Sequence, residues 1–426
     1  MEILLEHVRS FSKLKKVPLR PLTLLVGENS SGKSTFLSVV SSVLNTERFP
    51  ANPGFNEAPY NLGTFDTIAT YRGGKYGRDE TFSIGFALGK NGEKGFRRAT
   101  ATFGSDYGNV GLRLVHAENG SGTLDLNFEN QSLGGEISFR GDETSVKFQS
   151  KMTDTAFMGQ QPFNFAVMNA IFDTQQRKEN WTKTLNRIHE VIAATVPPFS
   201  DSYSFAPIRS KPKRTYDELA EEYSPEGDHI PTLLARLLRQ ESRSNESQRV
   251  QKALVRFGKE SGLFNSINVK KLGQKMTDPF QLQVSGAGPS VNLTDVGYGV
   301  SQALPIVVQS VLKSSSKVLL MQQPEVHLHP RAQAALGSFF SELVAKDRML
   351  VVETHSDYLL DRVRQEVAAG HLSPDEVLIL FFHKPKLETE VHPIYVDSNG
   401  NIEDAPDHYR DFFLSEEFNL ISRTEK

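Results

Sequence analysis

Cysteine is absent from the 426 residues. That excludes disulfide staples and thiolate metal sites, and it fits a reducing compartment. Long hydrophobic runs are missing too. Nowhere does the chain string together the roughly 18 or more apolar residues that a membrane-crossing helix needs. The opening Met1-Glu2-Ile3-Leu4-Leu5-Glu6 carries neither a basic n-region nor an apolar h-region, so no secretory leader is expected. An excess of one charge is also lacking. Lys and Arg number 48 against 51 Asp and Glu, and a net charge of −3 gives no support to a polycation seeking nucleic acid. Sustained heptads are absent, so a long coiled coil is not expected. These absences point to a soluble, cytoplasmic protein with no membrane partner, long enough for two or three compact units.

What is present starts at the apolar run Leu22-Thr23-Leu24-Leu25-Val26, which leads into Gly27-Glu28-Asn29-Ser30-Ser31-Gly32-Lys33-Ser34-Thr35. Apolar residues at near-helical spacing follow from Phe36 to Leu44. Strand, Gly-rich loop and helix in this order make a P-loop. Gly27 and Gly32 let the backbone curl so that the N–H groups of Asn29, Ser30, Ser31 and their neighbours turn toward phosphate oxygens. The helix start adds its positive end. Lys33 is expected to reach the terminal phosphates and the Ser34 hydroxyl to ligate Mg²⁺, with Thr35 closing the motif. The site takes a nucleotide.

Beyond it, Phe49 to Gly74 is rich in Pro, Gly and Asn and reads as loop. From Thr81 the pattern alternates: Phe82, Ile84, Phe86 and Leu88 share a face, and the alternation returns at Leu124, Leu126 and Phe128, at Ile137 and Phe139, and at Val146 and Phe148. This predicts four to six antiparallel strands. The spacing of Trp181, Leu185, Ile188 and Ile192 then predicts a helix. Two more are predicted around Leu233–Leu238 and Val250–Phe257, with Gln240 to Gln248 as a loop or hairpin tip. Arg209, Lys211, Lys213 and Arg214 put four cations in six residues, beside Pro207 and Pro212. That stretch reads either as a solvated loop or as an anion contact, to nucleic acid or to nucleotide phosphates. From Pro279 the pattern is doubly wound, with strands at Phe280–Val284, Lys317–Met321, Met349–Glu353 and Glu376–Phe382. Helices are predicted around Ser301–Leu312, Arg331–Ala345 and Asp357–Ala368. The P-loop strand must therefore pair with a distant sheet. The expected domains are 1–75 and 279–426 as two parts of one head, 76–155 as an antiparallel β insertion and 156–278 as a helical subdomain.

Three polar stretches stand in the last part: Asp295 to Gln302, which is Gly-rich and opens a helix; Gln322 to Pro330 at a strand end; and Glu353 to Asp357 at another. Polar groups at the carboxyl ends of parallel strands are where α/β sheets bind ligands. His327 and His329 lie two apart without further ligands, which is poor grounds for a metal site.

Taken in order behind the P-loop, these stretches resemble the ABC-type ATPase heads of the SMC and RecF kind. The resemblance is greatest to the single-head AAA-type ATPases related to the OLD family, such as the ATPase subunits of the anti-phage systems Septu and PARIS. Gly27 to Ser34 resembles their Walker A. Val296-Gly297-Tyr298-Gly299-Val300-Ser301-Gln302 resembles the signature motif, Gln323-Pro324-Glu325-Val326-His327-Leu328-His329-Pro330 the Walker B and D-loop, and Glu353-Thr354-His355-Ser356 the switch histidine. Ala206-Pro207-Ile208-Arg209, Asp397-Ser398-Asn399-Gly400 and Phe412-Phe413 are similar to the family as well.

The resemblance implies an α/β ABC-type head with a split, mixed sheet. It also implies ATP and Mg²⁺, and a homodimer or higher homo-oligomer with ATP held between Walker A of one copy and Gly297, Gly299, Ser301 and Gln302 of another. OLD proteins carry a Toprim nuclease after the head, but residues 356–426 show no such acidic cluster, so the effector, a nuclease, is expected to be a separate polypeptide. DNA contact of the RecF kind is the further reading. One departure bears on chemistry. Where the family has the acid that holds the Mg²⁺ shell and the residue that polarises water, this chain has Gln322 and Gln323. An amide brings no charge and cannot take a proton. Glu325 and His355 are left as general-base candidates, and slow hydrolysis is expected.

Overall fold

A computed structural model describes residues 1–409 apart from 75–76, 130–131, 142–144, 152–159, 176–180, 200–201, 218–221, 239–243, 276–277, 314–315 and 407–408. Phe412-Phe413 and much of the Gln240–Gln248 stretch lie outside the described residues, as does the side chain of Trp181. The chain forms two compact units, each assembled from three segments. Among the described residues no helix is long and apolar enough to cross a membrane.

The first unit takes Met1–Leu19, Asn29–Ser202 and Phe382–Val391. Its eight-stranded sheet is antiparallel throughout, in the order Lys15–Pro18, Glu2–Glu6, Thr81–Leu88, Arg97–Asp106, Asn109–Asn119, Gly122–Glu129, Ser132–Phe139 and Ser145–Lys151. The six strands after residue 80 form a meander of hairpins, and the N-terminal strand joins it with Ile3 opposite Phe86 and Leu5 opposite Ile84. Alternation fixes the register, because a slip by one residue would turn every apolar side chain to water. Phe82, Phe103 and Phe55 close one end of the buried face, with ring centroids 5.3–5.4 Å apart. Each such ring contributes about 2–3 kcal/mol by leaving water. The helix Gln160–Gln175 packs against the last strand of the sheet.

The second unit takes Arg20–Glu28, Tyr203–Phe381 and His392 onward. Its main sheet runs in the order Ser202–Phe205, Val318–Gln322, Met349–Glu353, Leu22–Gly27, Val377–His383, Glu390–Val396 and Ile402–Glu403. As expected, the P-loop strand pairs in parallel with a strand more than three hundred residues away, Leu22 opposite Leu350 and Leu25 opposite Glu353. Val318–Gln322 joins the same parallel set. All residues of Leu22–Gly27 and Met349–Glu353 are buried, which is why both read as mostly apolar runs, broken only by Thr23 and the closing Glu353. Helices Tyr298–Val311, Pro330–Val344 and Asp357–Ala368 flank them, within three residues of expectation.

One strand departs from expectation. Phe280–Ser285 is not part of the parallel sheet. It sits in a separate three-stranded antiparallel sheet between Ser266–Lys271 and Val291–Asn292. Its burial alternates, with Phe280, Leu282 and Val284 inside and Gln281 and Gln283 half-exposed. That period suits a sheet covered on one face. The helices Ile230–Leu237 and Asn245–Ser261 belong to this unit. The last buries Val250, Leu254 and Phe257 and starts on Ser244, whose side chain accepts the Ser247 N–H.

Candidate nucleotide site

The P-loop strand ends at Gly27 (φ 135°), and the loop then passes through Ser30 (φ 61°) and Gly32 (φ 105°) before the helix Lys33–Val43 begins. Three left-handed residues in six wind the backbone into a concavity of N–H groups. Gly32 is the helix N-cap and supplies no side chain of its own. An ideal Cβ there would lie 3.0 Å from the Phe11 ring and 3.1 Å from the Thr389 hydroxyl, so only glycine fits. Ser31 is buried, and its hydroxyl finds no hydrogen-bond partner among the described residues. A helix start without a cap, beside an orphaned buried hydroxyl, has the chemistry of an anion cradle. Lys33 is buried, and Asn29 and Ser30 are exposed at the loop crest.

Two contacts brace this loop. The Thr389 side chain is fully buried, with its hydroxyl 2.9 Å from the Ser31 carbonyl and 2.7 Å from the Ser10 hydroxyl. A carbonyl can only accept, so Thr389 donates to Ser31 and receives from Ser10. Arg9 donates to the Thr35 hydroxyl at 3.3 Å while its other N–H groups hold the Leu62 and Thr67 carbonyls. Neither Thr389 nor Arg9 carries a motif that could have marked it, because the contacts span 358 and 26 residues of chain.

In the second unit the strand ends gather the remaining candidates. Gln322 and Glu353 sit opposite each other on neighbouring strands. Gln323 takes a left-handed conformation (φ 43°) and donates its N–H to the Glu353 carbonyl at 2.8 Å. The following Thr354 donates to the Leu25 carbonyl of the P-loop strand at 3.0 Å. Glu325 is buried, and its Oε1 accepts the His355 backbone N–H at 2.7 Å. Burial pushes the Glu325 carboxyl above the usual range, against the pull of that hydrogen bond and of the nearby Arg209 guanidinium. His355 is half-buried at the strand end, and Ser356 caps the helix Asp357–Ala368 by accepting the Leu359 N–H.

The helix Tyr298–Val311 opens at Gly297, which is exposed with nothing near its Cβ position. Gly299 answers a different demand. A Cβ there would stand 2.9 Å from the His327 carbonyl oxygen. Ser301 is buried and turns its hydroxyl back to the Tyr298 carbonyl at 2.7 Å. Gln302 is fully buried, and its Oε1 accepts the Arg209 backbone N–H at 3.3 Å. Of the four clustered cations, Arg209 is buried, Arg214 grips both Asp295 oxygens, and Lys211 and Lys213 are exposed. His329 caps the helix Pro330–Val344, and the His327 ring packs edge-on against Tyr298 at 4.9 Å. Among the described residues no group of three or more His, Cys, Asp or Glu could hold a metal ion.

The family profile described as "AAA domain, putative AbiEii toxin, Type IV TA system" matches residues 22–361, from the first residue of the P-loop strand into the helix after His355. The chain belongs to this AAA family. Its fold is a mixed α/β P-loop fold of this AAA, nucleotide-binding kind, with an antiparallel sheet and added helices. No curated protein matches it. Solved structures similar to this AAA chain include an SMC head bound to the C-winged helix domain of ScpA, at 12% identity over 92% of this chain and 97% of that one, TM-score 0.47. Another is the SMC head domain from Thermotoga maritima, at 11% identity over 93% and 98%, TM-score 0.40. A third is the Smc head with an extended coiled coil bound to the C-terminal domain of ScpA, derived from Pyrococcus furiosus, at 9% identity over 100% and 99%, TM-score 0.41. At these scores the likeness carries nothing about what this AAA chain does.

Proposed function

We propose that this AAA chain is an ATP-gated switch that controls a separate effector. It binds ATP with Mg²⁺ on Gly27 to Thr35 and pairs with another copy around the nucleotide as a homodimer or higher homo-oligomer. The effector is a nuclease and the setting is anti-phage defence, in the manner of the OLD-related ATPases of Septu and PARIS. The family's description, as an AbiEii-type toxin of a type IV toxin–antitoxin system, is in keeping with a defence role. The observation that carries the nucleotide reading is the wound loop ending in an uncapped helix with the Ser31 hydroxyl orphaned beside it. Lys33 takes the terminal phosphates. Ser34 and Gln322 would hold the Mg²⁺, which supplies positive charge to the phosphate oxygens when bound. On the partner copy, Gly297 leaves the helix start bare, Gly299 lets it seat against the His327 turn, and rotation of the Ser301 hydroxyl away from Tyr298 presents it to phosphate.

Hydrolysis needs a group to orient water and take its proton. Gln322 and Gln323 cannot take one. Glu325, raised toward neutrality by burial, and His355 remain as the bases. The chain therefore binds ATP well and turns it over slowly. The amides at 322 and 323 also favour a second reading, a nucleotide-gated scaffold without hydrolysis. Steady-state ATP turnover with Mg²⁺, for this chain beside Gln322→Glu, separates them. The first reading expects Gln322→Glu to be faster by about tenfold or more. Equal rates would remove Gln322 from the metal shell and leave the chemistry to Glu325 or His355. Silence in both, with ATP still bound, would favour the scaffold or a site completed only by the effector, and turnover with the effector added separates these two.

A further inference from the structure

Arg209 is the largest side chain among the fully buried ones, 1% exposed, and nothing in the nucleotide reading uses it. A guanidinium taken out of water is costly unless its donors and charge are matched. Here the match comes from elements far apart in sequence. One terminal nitrogen donates to the Pro324 carbonyl at 3.2 Å and the other to the Ala206 carbonyl at 3.5 Å. Its backbone N–H donates to Gln302 on the helix that carries Ser301. Its charge faces Glu325, whose Oε1 holds the His355 N–H. Burial lowers the Arg209 pKa to about 10, with Glu325 pulling it back up, so the cation persists at neutral pH. A line of contacts thus runs from Gln302 through Arg209 to the Pro324–Glu325 turn and on to His355.

The line is not fully paired. Arg209 Nε, Gln302 Nε2 and Glu325 Oε2 are each buried without a hydrogen-bond partner among the described residues. Two of these are donors and one an acceptor, all charged or amide groups. Buried polar groups are seldom left without a partner. A small shift of the Ser301 helix, carried by Gln302, would change which of these groups meet.

We propose that Arg209 is a positioning residue that carries the state of the Ser301 helix to the Glu325–His355 contact. It touches no nucleotide group. It sets where the Pro324–Glu325 turn sits, and through Gln302 it makes that position depend on the helix that contacts a partner copy's nucleotide. This rests on the switch reading above, so the test carries one readout that needs no hydrolysis.

Arg209→Gln, Arg209→Lys and Gln302→Ala are compared with the unaltered full chain for ATP affinity, turnover and amide hydrogen exchange at His355. The expected result in Arg209→Gln is exchange at His355 faster by about tenfold or more, while the strand Val318–Gln322 keeps its protection. Gln302→Ala shifts His355 in the same direction by less, and Arg209→Lys, which keeps the charge, recovers part of the protection. In Arg209→Gln ATP affinity stays within about twofold, while kcat falls about tenfold or more at unchanged KM. Unchanged exchange at His355 in Arg209→Gln overturns the proposal. So does exchange that rises evenly through the strand, which marks a role in stability alone. If the unaltered chain turns over no ATP, the hydrolytic reading fails by itself, and His355 exchange still decides Arg209.

Discussion

A glycine can be demanded by conformation, by crowding or by both, and Gly32 and Gly299 differ in which applies. Gly32 needs both a left-handed φ of 105° and the space next to Phe11. Gly299 sits in an ordinary helix and is needed only because the His327 carbonyl comes within 2.9 Å of where a Cβ would be. Gly299→Ala therefore pushes on backbone, which cannot swing away, and is expected to cost about 1–3 kcal/mol in urea unfolding. Loss of under about 0.5 kcal/mol would mean that the His327 turn yields. The local pattern of the P-loop glycines was legible because spacing alone encodes it. Arg209 and Thr389 were not, since their partners lie 115 and 358 residues away and no periodicity links them.

Helices here are set by their first residues. Ser356 accepts the Leu359 N–H and donates to Gln333 at 2.6 Å, so it caps Asp357–Ala368 and ties that helix to Pro330–Val344. Ser356→Ala is expected to lower stability by about 1–2 kcal/mol. A thermal melt of the variant checks this, and an unchanged midpoint would make the cap idle. The parallel strands could be read in advance because burial on both faces leaves a mostly apolar run. Arg97–Asp106 could not. Its inward positions begin with Ala99 and Ala101, fully buried yet barely hydrophobic, so the alternation is real but faint. Phe280–Ser285 misled for the converse reason. Three strong apolar residues look alike in a parallel and an antiparallel sheet, and only the half-exposed glutamines between them tell which.

Across the molecule, stability should depend on pH through buried titratable groups of opposite sense. His229 is buried with its ring 3.2 Å from Gln309, and desolvation lowers its pKa. A depressed histidine contributes stability that is fully present above its unfolded pKa and is lost as pH falls through the folded one. Glu325, raised by burial, acts the other way and costs stability as pH rises past its unfolded value. Melting between pH 7 and pH 5 should therefore fall less steeply in His229→Gln than in the unaltered chain. Parallel pH profiles for the two would show that His229 gains its proton without leaving the fold.

The interleaving of the two units has a consequence for synthesis. The chain leaves the second unit between Glu28 and Asn29 and returns at Tyr203, and the first unit is completed only by Phe382–Val391. The strand Leu22–Gly27, buried along its whole length, emerges early and pairs with Met349–Glu353. At about 5–20 residues per second, that pairing is tens of seconds late. Over this interval the nascent chain carries an unpaired strand of the kind that favours aggregation. Ribosome-bound chains ending before Met349 should accordingly be more readily captured by an added chaperone than chains extended past residue 391, and equal capture would mean the strand is covered without its partner.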